Sequence, residues 1–440
     1  MRTTTNALPA LFLGALLSLL CLLEPVFAQG PVQDRVVHAV DTAQTTVVAG
    51  TVHPLARPEF DQGRVDAAMP MRVTINFKLT SAQQADLDEL LAAQQQRGTP
   101  DYHRWLTPEQ FGSRFGLSQG DINRVTAWLE SQGFHIEVLP ASRNMITFSG
   151  STQMVESALD TEVHRYLVDG EAHFANASEP SVPTGLADVV MGFRGLNDFR
   201  LKPRILRKSN PKFTSSVSGN HYIAPADFST IYNVTPLYQQ GFTGSGEKIA
   251  VVGQTDINLR DVEAFRSNSN LPANDPQKIF VSANPGLQKG DIDEANLDVE
   301  WAGAIAYNAT VIFIVGDPAK GGVQDAINYA ITTSPIPAPI ISTSYGDCEA
   351  DFSPAALSSL KSLMKQANAE GITVLGAAGD SGSADCDLHN NPSGPQVTAS
   401  TRWAGNAVWK SGNATRPVTG SDRARVTHPP ERGPARPTSS

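Results

Sequence analysis

Two kinds of hydrophobic pattern divide the chain. Between residues 70 and 198, short alternating runs are mixed with segments of helical spacing. Met71–Leu79 (MRVTINFKL) alternates as a strand does, and Ser81–Arg97 reads as an Ala/Gln/Leu helix opened by a serine cap. Ser118–Gly133 sets Ile122, Val125, Trp128 and Leu129 at helical spacing behind a second serine. His135–Leu139, Met145–Ser149 and Glu162–Val168 read as strands, with Thr152–Leu159 a short helix among them. Helices lying on one face of an antiparallel sheet accommodate this order, a ferredoxin-like α+β arrangement. From residue 221 the strands become continuously apolar: Lys248–Gln254, Asn308–Gly316, Pro339–Tyr345 and Ile372–Ala377. Helical segments at Asp261–Ser267, Val323–Ile331 and Ala355–Glu370 separate them. This alternation predicts an α/β fold, a parallel sheet covered by helices on both faces.

The segments between and around these patterns mark boundaries. Residues 199–220 are first basic, then Ser-rich and aperiodic, the composition of an exposed linker. Residues 401–440 hold seven Lys/Arg against two Asp/Glu, five prolines and no periodicity, which reads as disorder. At the start, Arg2, the apolar run at residues 11–23 and Val26-Phe27-Ala28 compose a secretory signal cut before Gln29, with a retained anchor helix as the alternative. The expected divisions are a signal peptide over 1–28, an α+β domain over 29–198, a linker over 199–220, an α/β domain over 221–400 and a tail over 401–440.

Composition changes this picture little. A chain of 440 residues with 40% hydrophobic and 18% charged residues is globular, and long enough for two or three cores. A net charge of -10 gives no footprint for nucleic acid. No later run reaches the ~18 apolar residues of a membrane span, so a secreted protein without a membrane partner is expected. After signal removal Cys348 and Cys386 remain. In an oxidising compartment they form a candidate disulfide worth roughly 4 kcal/mol in the chain-entropy model; two unrelated buried thiols are the other reading.

The chemistry concentrates in Asp291–Ala306 (DIDEANLDVEWAGAIA). An apolar stripe through Leu297, Trp301 and Ile305 predicts a helix buried on that side, with Glu294 and Asp298 one turn apart on the opposite side. Like charges at this spacing cost a few tenths of a kcal/mol. Asp291, Asp293 and Glu294 also suit a helix N-terminus with no further role. Two other motifs mislead. The glycines at 241, 244 and 246 precede a strand rather than a helix, so they make no phosphate loop. Gly379-Asp380-Ser381-Gly382 matches a trypsin-like nucleophile motif, but its strand setting is α/β and no upstream histidine suits a base.

Taken in order, several segments resemble the sedolisins, the serine-carboxyl peptidases, and in particular their kumamolisin-like branch. Pro100–Phe115 (PDYHRWLTPEQFGSRF) is similar to the activation prodomain, with His103 and Trp105 expected to pack rather than to bind ligands. Glu294-x-x-Leu297-Asp298 resembles the catalytic helix, Ser342-Thr343-Ser344-Tyr345-Gly346 the substrate-lining strand, and Ala377–Gly382 the oxyanion loop. The resemblance covers roughly residues 55–395 and implies a subtilisin-like sheet preceded by the prodomain. It makes Glu294 a general base, Asp298 its holder, Asp380 a side-chain oxyanion donor, and Ser344, Tyr345 and Gly346 the peptide-binding strand. An ordinary Glu titrates near pH ~4.3, so such a base suits acid. Stacked carboxyls share a proton at low pH, which removes their repulsion, and a carboxyl donates only when protonated. The implied partners are protein or peptide substrates and the chain's own prodomain in cis. By spacing alone, Asp380 is equally a turn residue.

One departure stands out. The family's Gly-Thr-Ser nucleophile turn is absent after residue 382, and so is the acidic segment that would hold the calcium expected from the family. No metal ligands are therefore assigned. The parallel-sheet pattern stops after about 180 residues, an incomplete version of the fold, and the switch between Cys386 and Ser400 is what a frameshift would leave. The expectation is the zymogen of a secreted acid endopeptidase, inactive as this chain stands. The alternative is a non-catalytic inhibitor or folding partner of an intact relative.

Overall fold

The computed structural model describes residues 32–37, 40–203 and 223–377. The signal segment, most of the linker, Asp380, Cys386 and the tail lie outside the described residues.

In the first half, β1 (Thr45–Val47), β2 (Asp61–Arg64) and β3 (Pro70–Phe77) lead into α1 (Ser81–Gln95), α2 (Pro108–Phe115) and α3 (Gln119–Ser131). Thr80, not Ser81, caps α1 by accepting the Gln83 N–H, while Gln83 accepts the Thr80 N–H in return. Thr107 and Gln110 make the same reciprocal pair ahead of Pro108, so the Thr-Pro-Glu-Gln run is a helix start. The chain continues through β4 (His135–Val138), β5 (Met145–Ser151), α4 (Thr152–Leu159), the hairpin β6 (Val163–Val168) and β7 (Glu171–Asn176), then β8 (Ser181–Pro183) and β9 (Val190–Arg194). An antiparallel sheet of order β4-β5-β3-β9 results, which is the ferredoxin-like arrangement expected. One face buries Val73, Ile75, Ile146 and Phe148 with Ile122, Val125 and Leu129 of α3. The other face is polar, carrying Arg72, Thr74, Thr147 and Arg194, and is covered by the second half.

The second half opens with α5 (Pro225–Ile231) and α6 (Thr235–Gln239), then β11 (Lys248–Gly253), α7 (Leu259–Asn268), β12 (Gln277–Phe280), α8 (Ile292–Ile305) and β13 (Thr310–Val315). It closes with α9 (Gly322–Thr332), β14 (Ile340–Thr343), β15 (Tyr345–Gly346), α10 (Pro354–Ala369) and β16 (Thr373–Gly376). Five of these strands form one parallel sheet of order β12-β13-β11-β14-β16. Alternate residues serve opposite faces. Ala250 and Val252 pack with Val323, Ile327 and Ile331 of α9 and Leu363 of α10. Val251 and Phe313 pack with Val262 of α7 and Ala295 and Val299 of α8. This is the helix-covered parallel sheet that the apolar runs predicted.

Polar bonds and an apolar cluster join the halves; in the cluster Ala369 of α10 packs with Leu87, Leu90, Phe111 and Phe115. Asp325, in the first turn of α9, accepts from both Arg72 and Arg194, the latter at 2.7 Å. Asn144 donates to Gln366 of α10 at 2.7 Å, and the Leu106 N–H caps the Ala369 carbonyl at 2.9 Å. Gly192 lies directly under Ala355, where no larger residue fits. Among the described residues no helix is long and apolar enough to cross a membrane.

Candidate functional site

In a parallel α/β sheet, ligands sit beyond the carboxyl ends of the strands. That edge collects Gln254 after β11, Ser344–Gly346 after β14 and the start of α8. The run Pro339–Tyr345 is therefore not one strand, because the chain leaves the sheet at Ser344 between β14 and β15.

Helix α8 is turned differently from its hydrophobic stripe. Ala295 and Val299 face the core while Leu297 is 40% exposed. Trp301 stacks edge-on against Phe228 at 5.6 Å. Glu294 is only 5% exposed, so the carboxylates lie on the inward side rather than opposite the buried face. Small residues at 295, 302 and 303 let the helix approach the sheet closely, and the larger Leu297 is left outside. Asp291 stands at the helix N-cap without capping it; its Oδ1 accepts from Gln254 Nε2 at 2.9 Å.

Asp298 Oδ1 accepts from the Ser344 hydroxyl at 2.7 Å, while Oδ2 is buried without a hydrogen-bond partner. Burial pushes its pKa up to about 6, outweighing the lowering by Ser344. A carboxyl that holds its proton toward pH 6 carries no charge in mild acid to repel Glu294, one turn away. Tyr345 points its hydroxyl into the same group. Burial first, then the charges of Asp291, Asp298 and Glu294, raise its pKa above the ordinary phenol value.

A peptide segment already lies in this cleft. Residues 202 and 203 form β10 (Lys202–Pro203), antiparallel to β15, with Lys202 opposite Gly346 and Pro203 opposite Tyr345. Leu201 presents its carbonyl to Gln254 Nε2 at 3.2 Å. Upstream, Phe199 is sandwiched between the imidazoles of His53 and His173, with ring centroids 4.1 and 4.2 Å away. The first linker residues are thus packed, not free. A cavity of about 550 Å3 opens beside them, lined in part by Arg72, Arg194, Lys320 and Asp347.

Glu294, Asp298, Ser344, Tyr345 and Gly346 lie together in this cleft. Asp380 and Cys386 lie outside the described residues. Cys348 is 2% exposed and disulfide-bonded. A cation site fares poorly: among the described residues the one grouping of ligand type is Asp347, Cys348 and Asp351. A disulfide sulfur supplies no thiolate, and two carboxylates fall short of the six to eight oxygens calcium takes. The residues do not fit that metal. Gln254 and Asp291, bonded to each other beside this group, were not singled out for the cleft from the sequence. A polar side chain closing an apolar buried strand at its carboxyl end was the available signal for Gln254.

An upstream α+β domain that sends its exit strand into a carboxylate-lined cleft of an α/β domain has the layout of a proenzyme. The family described as "Pro-kumamolisin, activation domain" matches residues 60–199. Sedolisin of Pseudomonas sp. (strain 101) is 27% identical over 74% of this chain and 57% of its own length. Xanthomonalisin of Xanthomonas sp. (strain T-22) is 26% identical over 90% and 54%, and kumamolisin of Bacillus sp. (strain MN-32) 25% identical over 77% and 62%. The chain is thus similar, over most of its length, to peptidases of the sedolisin family, and residues 60–199 match their activation domain. It spans between 54% and 62% of the length of these curated relatives. Among solved structures, fervidolysin from Fervidobacterium pennivorans matches at 11% identity over 80% of this chain and 44% of that one, with a TM-score of 0.34.

Proposed function

We propose that this chain represents the zymogen of a secreted, acid-active serine-carboxyl endopeptidase, with residues 29–198 as its activation domain and 199–220 as the segment cut on maturation. The observation that carries the reading is the antiparallel seat of Lys202–Pro203 on Tyr345–Gly346, next to the Ser344–Asp298 bond. An extended peptide is held by its backbone against the strand end where the carboxyls stand, as strand-addition recognition requires. In the intact enzyme Glu294 would take the proton of the attacking hydroxyl, Asp298 would hold Glu294, and protonated Asp380 would donate to the oxyanion. Each such donor is typically worth ~10²–10³ in rate. Cys386 is the proposed disulfide partner of Cys348.

These 440 residues contain no Gly-Thr-Ser. Without that serine there is no acyl-enzyme, so no turnover at pH 3–5 is expected from this polypeptide; clear turnover lost in Glu294→Gln would overturn that expectation. The test of the lineage is to sequence the locus and translate every frame beyond the codon for Asp385. A Gly-Thr-Ser segment followed by an Asp- and Gly-rich loop is expected, and the joined product should hydrolyse denatured protein in acid. A confirmed sequence lacking it would favour the other role, an inhibitor or folding partner, which slowing of an intact sedolisin by the full chain would establish.

A further inference from the structure

Gln254 is 1% exposed, and its Oε1 and both Nε2 protons are engaged. Its Oε1 accepts the Val323 N–H at 3.2 Å. The two Nε2 protons go to Asp291 Oδ1 at 2.9 Å and to the Leu201 carbonyl at 3.2 Å. The amide cannot be turned over: one end faces an N–H and the other faces two oxygens. Gly322, at φ +56°, keeps the near wall open, because a Cβ there would collide with Oε1. Two of the three bonds belong to the α/β half itself. They fix the head group before anything enters the cleft, and they aim the remaining N–H at the position Leu201 now fills.

We propose that Gln254 is the cleft's receptor for a main-chain carbonyl, binding any extended peptide that lies antiparallel on Tyr345–Gly346, with the Leu201 carbonyl its occupant in this chain. This rests on reading the cleft as a peptide site. The ligand class is extended polypeptide recognised by backbone at this position, whatever its side chain. When the peptide leaves, a buried N–H is left without an acceptor. That gives occupancy about a tenfold advantage or more.

The test is hydrogen exchange of the full chain at neutral pH, comparing residues 199–203 and 344–347 with β13 as a fold control. The variants are Gln254→Met, which removes the donor, and Gln254→Glu, which sets a carboxylate oxygen against the Leu201 carbonyl. The bond to Asp291 is lost in both variants and that to Val323 in Gln254→Met alone; each change is the same in the docked and undocked states and cancels from the docking equilibrium. Exchange at 199–203 should accelerate about tenfold in Gln254→Met and more in Gln254→Glu, with β13 unchanged. Unchanged exchange at 199–203, or equal acceleration in β13, overturns the proposal while the peptide-site reading stands. Absence of protection at 199–203 in the wild-type chain overturns that reading and the proposal with it.

Discussion

Replacing His53 with Phe should remove an acid sensitivity from the anchor of the linker. His53 accepts the Leu55 N–H on Nδ1 at 3.2 Å, so the neutral ring carries its proton on Nε2. Its flat face lies on Phe199 with 7° between the planes. Protonation must break the Leu55 bond and put charge into a buried stack. Burial chiefly, then the charge of His173, lowers the pKa to about 4 from an ordinary 6.5, against the opposing pull of Asp198. An unfolded chain takes up this proton near pH 6.5, the folded chain only near 4. Stability from this site is therefore full above pH 6.5 and is lost as pH falls toward 4. At about 1.4 kcal/mol per pH unit the loss is about 3 kcal/mol. Glu171, His173, Asp198 and Lys202 surround the stack in both chains, so the difference between wild type and variant isolates His53. Urea unfolding of the full chain at pH 7 and pH 4 measures it. His53→Phe should keep about 3 kcal/mol that the wild type loses on acidification; parallel pH profiles, differing by less than about 1 kcal/mol, would refute the reasoning.

Glu370 is 3% exposed, its Oε1 accepts from Gln366 at 2.8 Å, and burial chiefly raises its pKa to about 8. A raised carboxyl costs stability as pH climbs from its unfolded value, so Glu370→Gln should gain about 3 kcal/mol at pH 7 and nothing at pH 4; equal gains at both would contradict this. Asp325→Ala leaves Arg72 and Arg194 short of their shared buried partner and should cost about 3–5 kcal/mol in urea unfolding; a loss under about 1 kcal/mol would show that water replaces the carboxylate. Gly371 has φ +74° and a Cβ there would enter the Trp105 ring. Gly371→Ala should therefore cost more than about 1 kcal/mol and shift tryptophan fluorescence, and an unchanged spectrum with unchanged stability would deny the contact.

The long elements were legible because burial on both faces writes apolar runs into β11 and β13, and helical spacing into α3 and α9. β12 escaped notice because it is a four-residue edge strand with no buried side chain. The hairpin β6–β7 left a signal that went unread: Asp169-Gly170, both at positive φ, is a preferred two-residue turn. The rotation of α8 was misjudged because Leu297, Trp301 and Ile305 outweigh alanine and glycine in any hydrophobic count, although small residues set the close approach. The grouping of the candidate residues was legible where one local motif carries it, at Glu294, Asp298 and Ser344–Gly346. Gln254 was not, since its partners Leu201, Asp291 and Val323 come from three distant segments.

The most direct measurement is a carbon-13 carboxyl NMR titration of the full chain from pH 2 to 8, with Asp298→Asn assigning the resonance. If Asp298 stands buried beside Glu294 in the cleft, held by Ser344, its midpoint lies near 6. A midpoint near the ordinary ~3.9 of an exposed aspartate would mean that the two carboxyls do not form a buried acid pair, and the acid-peptidase reading of this cleft would fall with it.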